Sequence, residues 1–298
     1  MNGFICLNKA EGMTSFYAVR KLRNIIGEKK AGHGGTLDPM ATGVLPVAIG
    51  SATRFLELFP THDKAYEAEI KLGVTTDTLD ITGTVLSEKK SAVTREELEN
   101  VLSLFVGKIK QVPPMYSAVQ KDGKRLYELA RQGIEVEREA REVQIYSLSL
   151  VCFDEKSQTF SLSVRCSAGT YIRSLSSDIG EKLGSGAVMT KLRRTEALGF
   201  SLNDALTLEE LEEKMKNGEI ASAVSKVEDV IAYDKLTVSE AQAKRFRNGG
   251  ELDSTRLGVK TEAKTLYRVF SQCGEFIGIG ETDEENISLF VKRVYVEK

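Results

Sequence analysis

The sequence predicts an α+β protein with a mixed or antiparallel sheet, followed by a small β-rich segment. Three observations lead there. Alternating apolar runs come as hairpins, most clearly Glu142 to Phe153 and Thr159 to Cys166 around the polar turn 154–158. Helical stretches fall between strands without the regular strand–helix–strand rhythm that builds a parallel sheet. From about Ile231 short strand-like runs take over, at 265–271, 275–280 and 287–295. The expected division is therefore 1–232 and 233–298.

Each element has a local cause. Gly3 to Leu7 is short, apolar and closed by a turn, as a strand is. Residues 14 to 26 place Phe16, Val19, Leu22, Ile25 and Ile26 at helical spacing, with Thr14 or Ser15 as N-cap and Gly27 as stop. The other face of this helix carries Arg20, Arg23 and Asn24, and Lys29 and Lys30 follow it. Val44 to Ile49 reads as a buried strand and Ser51 to Leu58 as a helix. Ala65 to Leu72 alternates as a strand, with Gly83 to Leu86 as its expected neighbour. Thr94-Arg95-Glu96-Glu97 is a capping box opening a helix to Val106, closed by Gly107. Ile109 to Val112 suits a strand before Pro113-Pro114. Residues 170 to 183 suit a helix stopped by Gly184, and Thr207 to Asn217 a short acidic helix. In the last segment, Leu236 to Ser239 precedes a helix Glu240 to Arg247 ended by Asn248-Gly249-Gly250.

Composition bounds the function. The 298 residues suffice for one large or two ordinary domains. No apolar run is long enough for a transmembrane helix, and the N-terminus lacks the pattern of a secretory signal, so a cytoplasmic protein is expected. Cys6, Cys152, Cys166 and Cys273 are scattered without C-x-x-C spacing and the two histidines lie far apart. Free thiols and no metal site are the expectation. The net charge of −2 does not advertise a nucleic-acid partner. Its distribution is uneven, however. Residues 1–54 hold seven Lys/Arg against three acids, whereas 201–233 hold three lysines against eight acids. Basic clusters recur at Lys191-Leu192-Arg193-Arg194 and Lys244-Arg245-Phe246-Arg247. A basic groove on an acidic body fits this pattern.

The segment Gly32-His33-Gly34-Gly35-Thr36-Leu37-Asp38-Pro39-Met40-Ala41-Thr42-Gly43-Val44-Leu45-Pro46 concentrates the chemistry. Its glycines permit close approach of a ligand to the backbone. Pro39 holds Asp38 extended, on a stiffened loop. The loop matches neither the Walker nor the dinucleotide pattern. What remains is a rigidly held carboxylate suited to a nucleophile or a base.

Read at full length, that string resembles the signature of TruB-type tRNA pseudouridine synthases, whose catalytic residue is the aspartate of G-G-T-L-D-P. The likeness continues in order. Asn8 to Ser15 resembles the family's K-P-x-G-x-T-S segment, with Ala10 in place of its proline. Lys64-Ala65-Tyr66 resembles its tyrosine-bearing strand, and Thr76 to Gly83 its next turn. Val112 to Ala118 and Lys121 to Tyr127 follow. Gly169 to Leu175 resembles its arginine motif, and Lys191 to Arg194 the strand closing the site. The matches span roughly the first two-thirds of the chain. The resemblance implies the pseudouridine-synthase fold and a PUA-like C-terminal RNA-binding domain. It implies isomerisation of a T-loop uridine of tRNA (position 55 in the tRNA convention), with Asp38, Tyr66 and Arg173 catalytic.

That reaction breaks the N1–C1′ bond, turns the uracil and joins C5 to C1′, so no redox cofactor is needed and none is expected. Asp38 must be ionised to attack. A free aspartate has a pKa of about 3.9, and the expected two-pronged contact with Arg173 lowers it further. Asp38 adds to C6 of the base or stabilises positive charge at C1′; the sequence leaves both routes open. The target nucleotide must leave its stack. By the same resemblance Tyr66 stacks on the flipped base, and its hydroxyl is placed to move a proton on the sugar. Tyr171 and Leu192 complete the pocket, and His33 occupies the gap left by the base. Asp80 and Lys9 stand behind these as substrate-site residues, one for the arginine network or a turn, the other for the fold or a phosphate. Arg20, Arg23, Lys29, Lys30, Arg193, Arg194, Lys244, Arg245 and Arg247 are the candidate RNA-backbone contacts.

The implied partner is the T-arm stem-loop of tRNA, read by a monomer without a guide RNA. Two other readings compete. A non-catalytic RNA-folding protein need not hold Asp38, Tyr66 and Arg173 together, though a chaperone role can accompany catalysis. Guide-dependent relatives usually carry partner-binding extensions, none of which is obvious in this chain.

Overall fold

The computed structural model describes residues 1–257 and 260–296; of the expected second segment, 258, 259, 297 and 298 lie outside the described residues. The chain starts with strand β1 (Gly3–Lys9), helix α1 (Ser15–Ile26), β2 (Ala31–His33) and β3 (Thr42–Ile49). Thr14 caps α1 by accepting from the Tyr17 N–H, and Gly27 ends it in the left-handed conformation, φ 65°. The helix buries Ser15, Ala18, Val19, Leu22 and Ile26. Phe16 does not join them: it is 74% exposed, because the buried stripe runs along the next face of the helix. The helix expected over Ser51 to Leu58 is a 3₁₀ helix, Gly50–Leu58.

β4 (Lys64–Leu72) follows, then β5 (Val74–Thr76) and β6 (Val85–Glu88). Here the expectation fails, since β6 pairs with β5 in a separate hairpin and not with β4. β4 is instead buried between two later strands. Next come α2 (Arg95–Ser103), with the full Thr94/Glu97 capping box, and β7 (Gly107–Gln111). A small excursion holds β8 (Gln120–Lys121), β9 (Lys124–Arg125) and α3 (Leu126–Ala130). β10 (Arg141–Asp154) and β11 (Thr159–Cys166) make the long hairpin, and α4 (Ile172–Lys182), β12 (Ala187–Ala197), β13 (Phe200–Ser201) and α5 (Leu208–Lys216) close this part.

The nine-stranded sheet runs β1-β3-β12-β4-β11-β10-β7, with β2 and β13 attached to β3 and β12. Only β12 with β3 is parallel among its pairs, so the sheet is mixed. β12 therefore lies between β3, which leaves the Asp38 loop, and β4, which carries Tyr66. One face packs on α1, α2, α4 and α5 through a core including Leu22, Ile70, Leu98, Leu162, Ile179 and Leu211.

After α6 (Val227–Val230) a second sheet forms from β14 (Asp234–Val238), β15 (Leu252–Asp253), β16 (Leu266–Ser271), β17 (Phe276–Thr282) and β18 (Ser288–Val294), with α7 (Glu240–Arg247) against it. This is a β-rich C-terminal domain. An aromatic cluster joins it to the large sheet's other face: Phe55 lies 6.2 Å from Phe276 and 6.1 Å from Tyr295, ring to ring. Such pairs add about 0.5–1.5 kcal/mol each beyond their burial.

Candidate active site

The loop between β2 and β3 carries Asp38, and side chains from three distant elements hold its backbone carbonyls. Ser15, at the start of α1, donates to the Leu37 carbonyl at 3.0 Å and accepts the Leu37 N–H at 2.8 Å. Lys9, at the end of β1, donates to Pro39 at 3.2 Å and to Ala10 and Met13 at 2.9 and 2.8 Å. Arg194, on β12, donates to Gly35, Val44 and Thr36 at 3.0, 2.7 and 3.5 Å. The carbonyls on both sides of Asp38 are thus fixed while its own carboxylate points elsewhere.

That carboxylate meets Arg173. Nε of Arg173 lies 2.9 Å from Oδ2 and Nη2 donates to Oδ1 at 3.0 Å. The planar fork engages both oxygens at once, which sets the direction of the carboxylate as well as its charge. Both oxygens act as acceptors, so the geometry is that of the ionised form. The remaining donors of Arg173 reach the carbonyls of Thr78 at 3.0 Å and Tyr116 at 2.8 Å. Asp80 stands behind, its Oδ2 3.6 Å from Nη1. The side chain of Arg173 is 5% exposed and that of Asp38 31% exposed, so the carboxylate opens to the surface and its partner does not.

The electrostatics differ from expectation in one respect. Burial pushes the Asp38 carboxyl above the ordinary aspartate range; Arg173 pulls it down and Asp80 adds to the rise. The expected net lowering does not occur, because the carboxylate is partly desolvated and shares its guanidinium with a second carboxylate. Tyr66 is buried at 6% exposure and its phenol is pushed up to about 12, mainly by burial, with Arg194 opposing. It stands opposite Arg194 in the β4–β12 register. His33 is half-buried, accepts the Gly35 N–H on Nδ1 at 3.3 Å, and has its pKa lowered by burial and by Arg194. With Nδ1 accepting, a neutral ring carries its proton on Nε2.

The other expected pocket residues lie on β12, just before α4 and in the turn after β5. Leu192 is buried two residues before Arg194 on the same strand face. Tyr171 is half-buried, and Gln111 holds its backbone from both sides, donating to its carbonyl at 3.0 Å and accepting its N–H at 2.8 Å. Asp80 is buried and organises its turn, with Oδ1 accepting from Thr78 Oγ1 at 2.9 Å and from the Thr82 N–H at 3.0 Å. The turn is stitched to β12 by Ile81 N–H to the Met189 carbonyl at 2.9 Å. Sequence reasoning missed Ser15 as a loop anchor, and it missed Gln111 and the carbonyls of Thr78 and Tyr116. A backbone carbonyl has no residue-type signal, so only the fold reveals it.

One expected contact needs correction, and the structure decides another. Arg194, expected on the RNA backbone, is 0% exposed and directs its donors to the loop. Strand alternation is the reason: Leu192 and Arg194 face inward while Arg193 faces out. Lys9, expected to support the fold or to touch a phosphate, does the first: it is 1% exposed with its ammonium on three carbonyls, and burial lowers its pKa to about 8. It has no face left for a phosphate. Arg20, Lys29, Lys30, Arg193, Lys244, Arg245 and Arg247 are exposed, and Arg23 is half-buried with its Nε on the Glu28 carbonyl at 3.4 Å. Arg247 also pairs with Glu275 at 2.6 Å.

Residues 23–172 match the TruB family pseudouridylate synthase N-terminal domain. The chain belongs to the TruB family. Residues 173–232 match the tRNA pseudouridylate synthase B C-terminal domain, and 235–294 the C-terminal domain described as pseudouridine synthase II TruB. Among curated TruB-family relatives, a tRNA pseudouridine synthase B of Clostridium perfringens is 45% identical over 97% of this chain and 98% of its own. One from Azoarcus is 46% identical over 94% and 91%. Among solved structures, a Cbf5-Nop10-Gar1 complex contains a chain with TM-score 0.76 and 26% identity, covering 99% of this chain and 85% of that one. An archaeal box H/ACA Nop10-Cbf5 complex gives 0.74 and 25%, over 99% and 86%. The pseudouridine-synthase fold expected from the TruB motifs is thereby shown, and the chain is an enzyme of the pseudouridine synthase class.

Proposed function

We propose that this enzyme isomerises the uridine at position 55, in the T-loop of tRNA, to pseudouridine, with Asp38 as the attacking carboxylate. The observation that supports this most is the two-pronged Arg173–Asp38 pair opening to the surface within a TruB-family chain. The named relatives at 45–46% identity are tRNA pseudouridine synthases, which favours tRNA as the RNA acted on.

In the reaction the N1–C1′ bond breaks, the ring turns and C5 bonds to C1′. A proton leaves C5 and one is taken up at N1, so atoms and electrons balance without a redox partner. Arg173 holds Asp38 ionised and aimed. Two routes are consistent with this geometry, attack at C6 of the ring and at C1′ of the sugar. Tyr66, with Tyr171 and Leu192, receives the flipped base, and His33 stands at the loop's edge to fill the gap. A phenol pushed up to about 12 stays protonated at neutral pH, so its hydroxyl is there to donate a hydrogen bond or relay a proton on the sugar.

The surface cations of α1 and the loop after it, with Arg193 and the α7 cluster, are proposed to follow the RNA backbone. We place the division of labour near residue 232: catalysis before it, and a PUA-like RNA-binding domain after it. The enzyme acts in the cytoplasm as a monomer, without a guide RNA. Mapping pseudouridine in tRNA incubated with the purified protein tests the whole reading. Conversion confined to position 55 supports it, and unchanged tRNA overturns it.

A further inference from the structure

Arg194 presents an unusual combination. It is among the largest fully buried side chains, yet no carboxylate joins it in an ion pair among the described residues; its hydrogen bonds go to the carbonyls of Gly35, Thr36 and Val44. A buried guanidinium without a counter-ion is costly, and replacing it by an apolar side chain is often neutral or stabilising in a purely structural setting. The three carbonyls bracket Asp38: two lie just before it and one just after the loop returns as β3.

The backbone of the same residue closes the loop. Arg194 pairs with Gly43 in the parallel β12–β3 bridge, and a Cβ on Gly43 would come within 2.2 Å of the Arg194 carbonyl. Gly43 also has φ +98°, which an L side chain rarely adopts. On its other edge Arg194 is registered with Tyr66, and its charge acts on the phenol. One residue therefore holds the backbone that carries the carboxylate and stands in register with the tyrosine. Arg173, in contrast, grips the carboxylate itself.

We propose that Arg194 is a positioning residue of the isomerisation, fixing the Asp38 loop and the Tyr66 hydroxyl in one geometry. This rests on the function proposed above and adds to it a residue that does not touch the nucleotide. Its cationic charge, paired with no carboxylate in an ion pair among the described residues, lowers the Tyr66 pKa from where burial alone would leave it, against Cys166 and Asp38, and the same charge lowers the pKa of Lys9, Lys64 and His33. A shift of about 1 Å in such an arrangement costs on the order of 100-fold in rate.

The experiment uses the full chain, Arg194→Gln and Arg194→Lys, with a T-arm stem-loop RNA. Single-turnover conversion, Kd and its salt dependence are measured for each, alone and combined with Tyr66→Phe. The expected result for Arg194→Gln is a loss of about 100-fold in single-turnover rate with Kd within about threefold and an unchanged salt slope. Arg194→Lys, which keeps the charge and reaches one carbonyl, recovers roughly tenfold of that loss. In the Tyr66→Phe background the Arg194→Gln loss shrinks, since the two residues act as a unit. A normal rate in Arg194→Gln overturns the proposal, as does a weakened Kd with a flatter salt slope, or losses that add fully with Tyr66→Phe. Should Arg194→Gln not fold, Arg194→Lys decides: a reduced rate at parental Kd supports the proposal and a parental rate overturns it. A parent that leaves tRNA unmodified overturns the proposed function and this inference with it, whereas an active parent with normal variants overturns the inference alone.

Discussion

Arg173 grips Asp38 through both carboxylate oxygens, at 2.9 and 3.0 Å, across 135 residues of sequence. The loop supplies the carboxylate and the first turn of α4 supplies the fork. Thr78, Tyr116 and Asp80 take up the rest of the guanidinium from two further segments. Rotation of Arg173 away from Asp38 would disrupt its bonds to all of them, so the pair is held before any nucleotide arrives.

Asp38→Asn should keep the fold and the RNA affinity while removing conversion. The amide has the size of the carboxylate but cannot attack as one. We expect Kd for the T-arm within about threefold and a rate loss beyond about 100-fold. Turnover within tenfold of the parent would remove Asp38 from the proposed role.

Arg173→Lys should lose most of its rate, because a single ammonium replaces the fork and cannot serve Asp38 and the two carbonyls together. Arg173→Ala should also destabilise the protein, by roughly 3–5 kcal/mol, since Asp80 would be left buried without its partner. Steady-state kinetics and urea unfolding separate the two effects. A raised KM at unchanged kcat in Arg173→Lys would make the residue a binding group instead.

Tyr66→Phe distinguishes the two tasks given to that ring. If the hydroxyl works as a proton donor, RNA binding persists while the single-turnover rate falls by about 100-fold or more. Parental rates in Tyr66→Phe, with loss only in Tyr66→Ala, would restrict the residue to stacking.

Asp178, on α4, offers a test by pH. Burial, with Glu181 adding, raises its pKa from 3.8 to about 6. The folded state therefore binds more protons than the unfolded state between these values, and the contribution of this group to stability falls as pH rises through that interval. Asp178→Asn should be more stable than the parent at pH 8, by about 1 kcal/mol after allowing for the exposed part of the side chain, and no more stable near pH 3.5. Denaturant melts at both pH values check this; a gain equal at both would mean that the charge is not its cause.

Neutralising Lys244, Arg245 and Arg247 together should weaken tRNA binding and leave the saturated single-turnover rate intact. Each cation that no longer neutralises a phosphate lowers the log–log salt slope by roughly 0.7–0.9. Arg247 already pairs with Glu275, so the change should fall short of what three free cations would give. Substitution is a cleaner test than removing residues 234–298, which would strip Phe276 and Tyr295 from Phe55 and expose the aromatic joint. An unchanged slope would take α7 off the RNA path.

What the sequence determined by itself was whatever is settled within a few residues or written as a residue type in a loop. The Thr94/Glu97 capping box, the Thr14 cap and Gly27 stop of α1, the hairpin about 154–158 and helix α7 all formed where their local chemistry placed them. These need only hydrogen bonds between near neighbours or a glycine at positive φ. The Asp38 loop was legible for the same reason, and its family likeness named Tyr66 and Arg173. Tertiary structure decided the rest. It turned Arg194 inward against expectation, settled Lys9 on the fold and not on a phosphate, left Phe16 exposed, and paired β6 with β5. It also set the Asp38 pKa direction, through burial first, with Arg173 opposing and Asp80 adding, and no spacing rule connects burial or Asp80 to the loop. The physical reason is that burial and strand pairing depend on which distant segment arrives alongside. An arginine reads as a surface cation until the fold surrounds it with carbonyls from a loop some 150 residues earlier.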